Sequence, residues 1–374
     1  MFSRQWLKST KYNKYSDSDM FGYNNPIVKD DLTDISHKVD WSRFNNKTIL
    51  ITGANGHIAS YLIYSFAYAI DRGIITADII AVSRNNDKLM SLYAPLTQKK
   101  WFSIIVGDVN NPIDYSSEID YIFHFAGNAS PYYISNDPVG ILRANISGTF
   151  NICELARRNT DCKIIYASTR EVYGDNKLDQ SLTETSFGAL DPLDRRSCYP
   201  ESKRAAETIL EAYHNQYRIK YAVTRIAHCY GPGMKLANDG RVMSDFINNA
   251  VSCNDIVLNS DGKALRSFCY ISDVITALLI IASDESDNSV FNLSNETEEI
   301  SILELAEKIA SAKGDIKVVV KAREIDASLY CNYKRKPLDC SRLNALGWYP
   351  TVKLHQGITQ TLQSFDTKGN EKLH

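Results

Sequence analysis

Lys47-Thr-Ile-Leu-Ile-Thr52 runs directly into Gly53-Ala-Asn-Gly56-His-Ile-Ala59, and no other stretch restricts the possible folds as strongly. The first six residues are mostly aliphatic and β-branched, the make-up of a strand buried on both faces. The next seven have the form Gly-x-x-Gly-x-x-Ala, and residues 57–70 (HIASYLIYSFAYAI) then read as a long apolar helix closed by Asp71-Arg72-Gly73. Small residues at a strand-to-helix turn let the backbone bend sharply, approach a pyrophosphate and aim helix N-terminal N–H groups at it. A plain turn is the simpler reading of the same residues, and the rhythm that follows decides against it. Further strands are predicted at 77–82, 102–106, 119–125, 163–167 and 220–225, with helices over 139–158 and from Tyr199 onward. Strands alternating with helices at this spacing mean an α/β fold, a doubly wound parallel sheet of the Rossmann type.

Residues 1–45 are polar and poor in aliphatics, and read as an N-terminal extension with short helical turns, anchored by Trp41 and Phe44. Residues 46–232 form the expected dinucleotide-binding domain. After Gly231-Pro-Gly233 the segments shorten, Asp-Gly pairs stand at 239–240 and 261–262, and helices are predicted near 243–252, 273–283 and 301–312. Residues 233–374 are therefore expected to be mainly a smaller, mixed α/β substrate-binding domain. A net charge of -2 gives no whole-chain field that draws nucleic acid or an anionic membrane. No apolar run approaches the ~18–20 residues of a membrane span, and the N-terminus lacks the apolar core of a signal peptide. The cysteines are scattered, without Cys-x-x-Cys or zinc spacing, so free thiols in a reducing cytoplasm are expected and no metal.

Three later stretches carry chemistry. Strand two ends in Ser83-Arg84-Asn85 with no acid for a ribose 2′-hydroxyl, and Asp78 lies at its wrong end. A Ser–Arg pair suits a 2′-phosphate, so NADP is favoured over NAD; the plainer reading has Arg84 stacking on the adenine. Asp108 and Val109 follow strand three and are placed to meet the adenine edge. Ser168-Thr169-Arg170-Glu171-Val172-Tyr173-Gly174 follows strand five, at the sheet edge where open α/β folds bind ligands. Tyr199-Pro-Glu-Ser-Lys203 spaces a phenol and an ammonium one helical turn apart on one face. Such a pair is usually an ordinary surface contact. Near a ligand site, the ammonium favours the phenolate, lowers the Tyr199 pKa and readies it as a base.

Together these stretches resemble an extended short-chain dehydrogenase/reductase of the nucleotide-sugar epimerase/dehydratase family. UDP-glucuronate decarboxylases and dTDP-glucose 4,6-dehydratases look most similar. The resemblance rests on the motifs above and on HFAGNASP (124–131), ANISGT (144–149), YPESKRAAE (199–207), RIAHCYGP (225–232), DGRVMSDF (239–246), DGKALRSFCYISD (261–273), KRKP (334–337) and LGWYP (346–350), and it covers roughly residues 46–365. It implies cofactor contacts from Gly53, Asn55, Gly56, His57, Ile58, Ser83, Arg84, Asp108, Val109, Phe125, Ala126, Gly127, Asn145, Ala167, Tyr199 and Lys203. It further implies that Tyr199 takes the proton of the sugar's 4-hydroxyl, that Lys203 holds the nicotinamide ribose, and that Thr169 hydrogen-bonds the 4-oxygen. Glu171 matches the carboxylate that removes the C5 proton. Arg266 and Arg335 match a diphosphate clamp, a task suited to a forked cation. Ser130, His228, Arg241 and Val242 complete the implied substrate contacts.

Two residues depart from that pattern. Arg170 stands where dehydratases place Asp and decarboxylases Ser; a guanidinium cannot donate a proton at neutral pH, but it can bind a carboxylate. His228 replaces an Asn and could keep a hydrogen bond or titrate; a core His without a catalytic role is the plainer reading. The expected activity is C4 oxidation of a nucleoside diphosphate sugar followed by dehydration or decarboxylation. Glu171 and the overall similarity favour that branch; a 4-keto-sugar reductase or 4-epimerase, favoured by Arg170 and Ser83-Arg84, is the alternative, and a binding protein without catalysis is disfavoured by the intact Tyr199, Lys203 and Thr169. The resemblance also implies a homodimer in which the helices near 139–158 and 201–217 build a four-helix bundle.

Overall fold

A computed structural model describes residues 22–177, 180–237, 239–321 and 335–365. Residues 1–21 of the polar extension, Cys331 and Lys334 lie outside the described residues. The six anticipated strands are present as β1 (Lys47–Thr52), β2 (Ala77–Ser83), β3 (Phe102–Val106), β4 (Tyr121–His124), β5 (Lys163–Thr169) and β6 (Lys220–Ile226). A seventh, β7 (Asn288–Leu293), comes from beyond residue 233 and pairs with β6. All neighbours are parallel, in the order β7-β6-β5-β4-β1-β2-β3. The order reverses between β1 and β4, which opens a crevice at their carboxyl ends.

The alternation of side chains along each strand sorts the core into two layers. Ile49, Ile51, Ile79, Ala81, Phe123 and Ile165 face a layer that contains α2 (His57–Asp71) and α6 (Ile271–Ser283). Leu50, Ile80, Val82, Ile122 and Ile164 face the opposite layer with α3 (Pro138–Arg157) and α4 (Cys198–Tyr217). Both helical layers cover apolar strands, which is why the strands read as continuous hydrophobic runs. Beyond residue 233, α5 (Val242–Val251), α7 (Ile302–Lys313) and α8 (Leu354–Ser364) pack with one another beside the short parallel pair Ile256–Leu258 and Val318–Val320.

The extension departs from the expected short turns. Residues Pro26–Lys38 form a 13-residue helix, α1, started by Asn25, whose Oδ1 accepts from Ile27 N at 3.0 Å, and by Pro26 in the first turn. Val28, Asp31, Leu32 and Ile35 face inward at helical spacing, against α2 and α6. A single buried stripe suffices to dock a helix, so a mostly polar sequence hides it. Trp41 and Phe44 anchor as expected: Trp41 Nε1 donates to Ser36 O at 3.1 Å, and the Phe44 ring lies 5.3 Å from that of Phe66.

Candidate active site

The crevice between β1 and β4 is shaped by backbone contact. Gly53 has φ 66°, and a Cβ there would stand 2.8 Å from Ala126 N. Thr52 Oγ1 accepts from the N–H groups of Phe125 and Ala126, both at 3.2 Å, and lies 2.8 Å from His124 Nδ1. Gly56 caps α2 with no side chain, so the first-turn N–H groups, including those of His57 and Ile58, face an outside acceptor. Deeper in, Asn145 is fully buried; its Nδ2 donates to Ser202 Oγ at 2.9 Å while its Oδ1 has no hydrogen-bond partner. That oxygen lies 2.6 Å from the point a Gly127 Cβ would occupy, and Lys203 Nζ lies 3.8 Å from the same point. A close backbone approach, an uncapped helix start and an orphaned buried acceptor fit a dinucleotide.

At the far end of the crevice Ser83 is buried and Arg84 Nη1 reaches Asp108 Oδ2 at 3.5 Å. Asp108 also accepts from Asn110 N at 2.9 Å. Val109 is buried, and a Cβ on Gly148 of α3 would stand 2.9 Å from its Cγ2, so its side chain packs on that helix.

Tyr199 is placed by the first turn of α4. The helix begins at Cys198, one turn earlier than its apolar pattern suggests, because Pro200 in the first turn owes no intrahelical N–H. Tyr199 is buried among Ile134 and Ile141, with Thr169 beside it as a group that favours its phenolate. Its pKa runs opposite to the expectation. Burial, and then the charge of Glu171, raise it to about 12, while Thr169, Arg241 and Arg196 pull it back. Lys203 is not among the causes. Burial lowers its own pKa to about 7, against the pull of Glu207, and its Nζ donates to Ala167 O at 2.7 Å, 4.6 Å from the Tyr166 ring centre. Desolvation penalises both charged forms at once, and so outweighs the pairing read from the spacing.

Glu171 lies on the one-turn 3-10 helix Arg170–Tyr173, which Thr169 caps by accepting from Glu171 N at 3.2 Å. Its carboxylate is held by a residue the sequence reading missed: Arg196 Nη2 lies 3.3 and 3.1 Å from the two oxygens. Arg196 stands three positions before Tyr199, a spacing that could have drawn attention to it. A second missed group is Glu207, one turn beyond Lys203. It accepts from Ser168 Oγ and pairs with Arg225 at 2.7 Å; Arg225 in turn donates to Tyr173 OH at 3.0 Å. This buried network supports the 168–174 segment from below.

The remaining predicted residues form a cationic wall. Arg170, Arg266 and Arg335 face His228, and burial together with their charges holds the His228 pKa well below its ordinary value. His228 therefore stays neutral, which closes the titrating role and leaves the other two readings open. Its Nδ1 is buried without a hydrogen-bond partner, and its ring lies 5.6 Å from Phe268. Arg335, with a side chain 4% exposed, is held by Glu296 and Glu299, each at 2.5 Å, and Arg266 Nη1 donates to Leu265 O at 2.7 Å. Arg241 is tied to the buried Asp239 at 2.5 Å and stands N-terminal to Val242, the first residue of α5. Burial and Arg241 lower the pKa of His57 to about 4, and its Nε2 contacts Pro232 O at 2.9 Å. Ser130 precedes the short helix Pro131–Asn136, its buried hydroxyl without a partner. Tyr199, Thr169 and Glu171 thus come together with Lys203 beneath them, and Arg170, His228, Arg266 and Arg335 form a neighbouring group.

Comparison with known proteins agrees with this geometry. A model of the NAD dependent epimerase/dehydratase family matches residues 49–294. UDP-glucuronic acid decarboxylase 6 of Arabidopsis thaliana is 34% identical over 326 residues, which cover 86% of this chain and 89% of that protein. Among solved structures, UDP-glucose 4-epimerase of Thermotoga maritima with UDP-glucose superposes with a TM-score of 0.70 at 24% identity, covering 87% of this chain and all of that one (100%). The dTDP-glucose 4,6-dehydratase of Bacillus anthracis in complex with NAD gives a TM-score of 0.68 at 21% identity, covering 87% of this chain and 98% of that one. At these identities the two structures speak for the fold.

Proposed function

The chain belongs to the NAD dependent epimerase/dehydratase family, and on that footing we propose that it oxidises a nucleoside diphosphate sugar at C4 and then releases carbon dioxide from C5. The observation that carries this reading is the buried Tyr199–Thr169 contact, with Lys203 and Asn145 below it at the carboxyl edge of the sheet. Tyr199 takes the proton of the 4-hydroxyl and Thr169 hydrogen-bonds that oxygen. Arg241 and Arg196 are the cations that bring the phenol down toward use as a base. A bound nicotinamide dinucleotide supplies hydride acceptance and return; Gly53, Gly56, Asn145 and Lys203 hold it. Arg266 and Arg335 take the diphosphate.

Arg170 selects the branch. A 4-ketone makes a C5 carboxylate the carboxylate of a β-keto acid, which loses carbon dioxide without an acid at a leaving hydroxyl; the electron pair of the broken bond stays as an enolate, which takes a proton at C5 from solvent beside Glu171 before hydride returns to C4. Dehydration needs such an acid, and a guanidinium does not serve. It does bind a carboxylate, and the relatives sharing a third of the sequence are named UDP-glucuronic acid decarboxylases.

For the cofactor, the Ser83–Arg84 ending of β2 favours NADP. For assembly, Val139, Phe150 and Tyr217 are exposed on α3 and α4, which supports a homodimer through these helices. The described cysteines are free thiols, in keeping with a cytoplasmic site, and no helix among the described residues is long and apolar enough to cross a membrane.

The test is incubation of the purified protein with UDP-glucuronate, UDP-glucose and dTDP-glucose, with product masses read out. Loss of carbon dioxide from UDP-glucuronate is expected. Loss of water from dTDP-glucose would move the chain to the dehydratases. A mass-neutral isomer, or a gain of two hydrogens with cofactor consumed, would move it to the epimerases or reductases.

A further inference from the structure

We propose that Arg196 is a positioning residue that holds the Glu171 carboxylate in its working orientation beside Tyr199; the proposal rests on the reading above. One guanidinium nitrogen straddles both carboxylate oxygens, at 3.1 and 3.3 Å. The two side chains are only 15% and 24% exposed, so water screens the pair poorly and leaves Glu171 few other ways to settle its charge.

Both partners are delivered by braced turns. Glu171 comes from the 3-10 turn capped by Thr169. Arg196 comes from the turn just before α4, where its N–H donates to Asp194 Oδ1 at 2.7 Å and Ser197 N donates to Asp194 O at 2.9 Å. Arg204 of α4 ties that helix to the 3-10 turn and to the loop before Arg196, its Nε donating to Val172 O at 2.7 Å and its Nη2 to Gly188 O at 2.8 Å. Such a frame can keep a carboxylate within the narrow tolerance that reacting groups need.

Arg196 also balances charge. The groups facing Tyr199 are Glu171, which disfavours the phenolate, and Thr169, Arg241 and Arg196, which favour it. Taking Arg196 away frees Glu171 to turn and leaves its charge acting on Tyr199 with less opposition. The orienting consequence runs through Glu171, which separates this role from general support of the loop, whereas the pull of Arg196 on the phenol is direct.

The test is a double-mutant cycle on the full chain with Arg196→Gln, Glu171→Gln and the two combined, using whichever nucleotide sugar the wild type turns over. Arg196→Gln is expected to lower kcat on the order of 10²-fold with KM little changed, and to move the acid limb of the kcat profile to higher pH. Arg196→Lys, which keeps the charge and loses the fork, is expected to recover part of the rate and of the pH profile. The combined variant is expected to be slower than Glu171→Gln alone by far less than the Arg196→Gln factor, the remainder being the direct pull of Arg196 on the phenol. Losses that multiply, or an Arg196→Gln protein at the wild-type rate, overturn the proposal while leaving the proposed function standing. A thermal-unfolding cycle on the same proteins reads the pair without turnover. Coupling in stability but none in kcat makes the pair purely structural and overturns the positioning role. A wild type that converts no nucleotide sugar overturns the proposed function, and this role with it.

Discussion

Asp31 should make the protein less stable as the pH rises through neutrality, and Asp31→Asn should remove that loss. Its carboxylate is buried on α1 and accepts from Tyr61 OH at 2.5 Å and Tyr270 OH at 3.0 Å. Burial raises its pKa from 3.8 to about 7, with the nearby Asp34 and Asp30 adding to the rise and the two tyrosines opposing it. The folded protein therefore binds a proton that the unfolded chain releases from about pH 4 upward. Stability from this group is fully present below pH 3.8 and is lost as pH climbs through about 7. At about 1.4 kcal/mol per pH unit, the stretch from pH 5 to the folded pKa costs about 3 kcal/mol, and little more is lost above it. Asn keeps an acceptor for the tyrosines but buries an amide, a fixed cost of about 1–3 kcal/mol that does not change with pH. The informative quantity is thus the difference in slope. Denaturant unfolding of both proteins at pH 5 and pH 8 should show the wild type losing about 3 kcal/mol more than Asp31→Asn between the two. Parallel losses would refute the reasoning and would mean that Asp31 is already ionised at pH 5 or that its surroundings let water in.

Two further outcomes follow from the site. Gly53→Ala forces a side chain into a left-handed conformation, costing about 1–2 kcal/mol, and drives a methyl against Ala126 N at 2.8 Å. Affinity for NADP or NAD, followed by fluorescence titration, should fall at least tenfold together with the melting temperature; unchanged affinity would place the cofactor elsewhere. Glu207→Gln unpairs the buried Arg225, whose partner distance is 2.7 Å, and should cost about 3–5 kcal/mol in denaturant unfolding. A cost below ~1 kcal/mol, the range of an exposed ion pair, would show that water already screens it.

The strands of the parallel sheet were legible because burial on both faces leaves a simple run of Ile, Leu and Val. β7 was not, since Asn288-Ser-Val-Phe-Asn-Leu293 mixes poor strand formers with apolar residues. Asn292 earns its place only through the fold: Tyr173 OH donates to its Oδ1, and its own N–H donates to Glu184 Oε1 at 2.8 Å. α1 stayed hidden for a related reason, its core stripe diluted by charged residues on the other faces. Within the site, compact motifs let the sequence name Tyr199, Lys203, Thr169 and Gly53, and the fold brings them to the carboxyl edge of the sheet. Arg196 and Glu207 were not, because what distinguishes them is contact across turns that sequence spacing does not encode. The Tyr199 pKa failed for another reason. A helical spacing reports which groups are neighbours, whereas desolvation depends on everything packed around them.

In the proposed reaction the chain oxidises C4 and returns the same hydride after the sugar loses carbon dioxide. A nucleoside diphosphate uronic acid carrying deuterium at C4, incubated with the wild type and with Tyr199→Phe, tests it most directly. A pentose product that has lost carbon dioxide and kept its deuterium at C4 is expected, with no product from Tyr199→Phe. Deuterium lost from the product, or equal turnover by Tyr199→Phe, would contradict it.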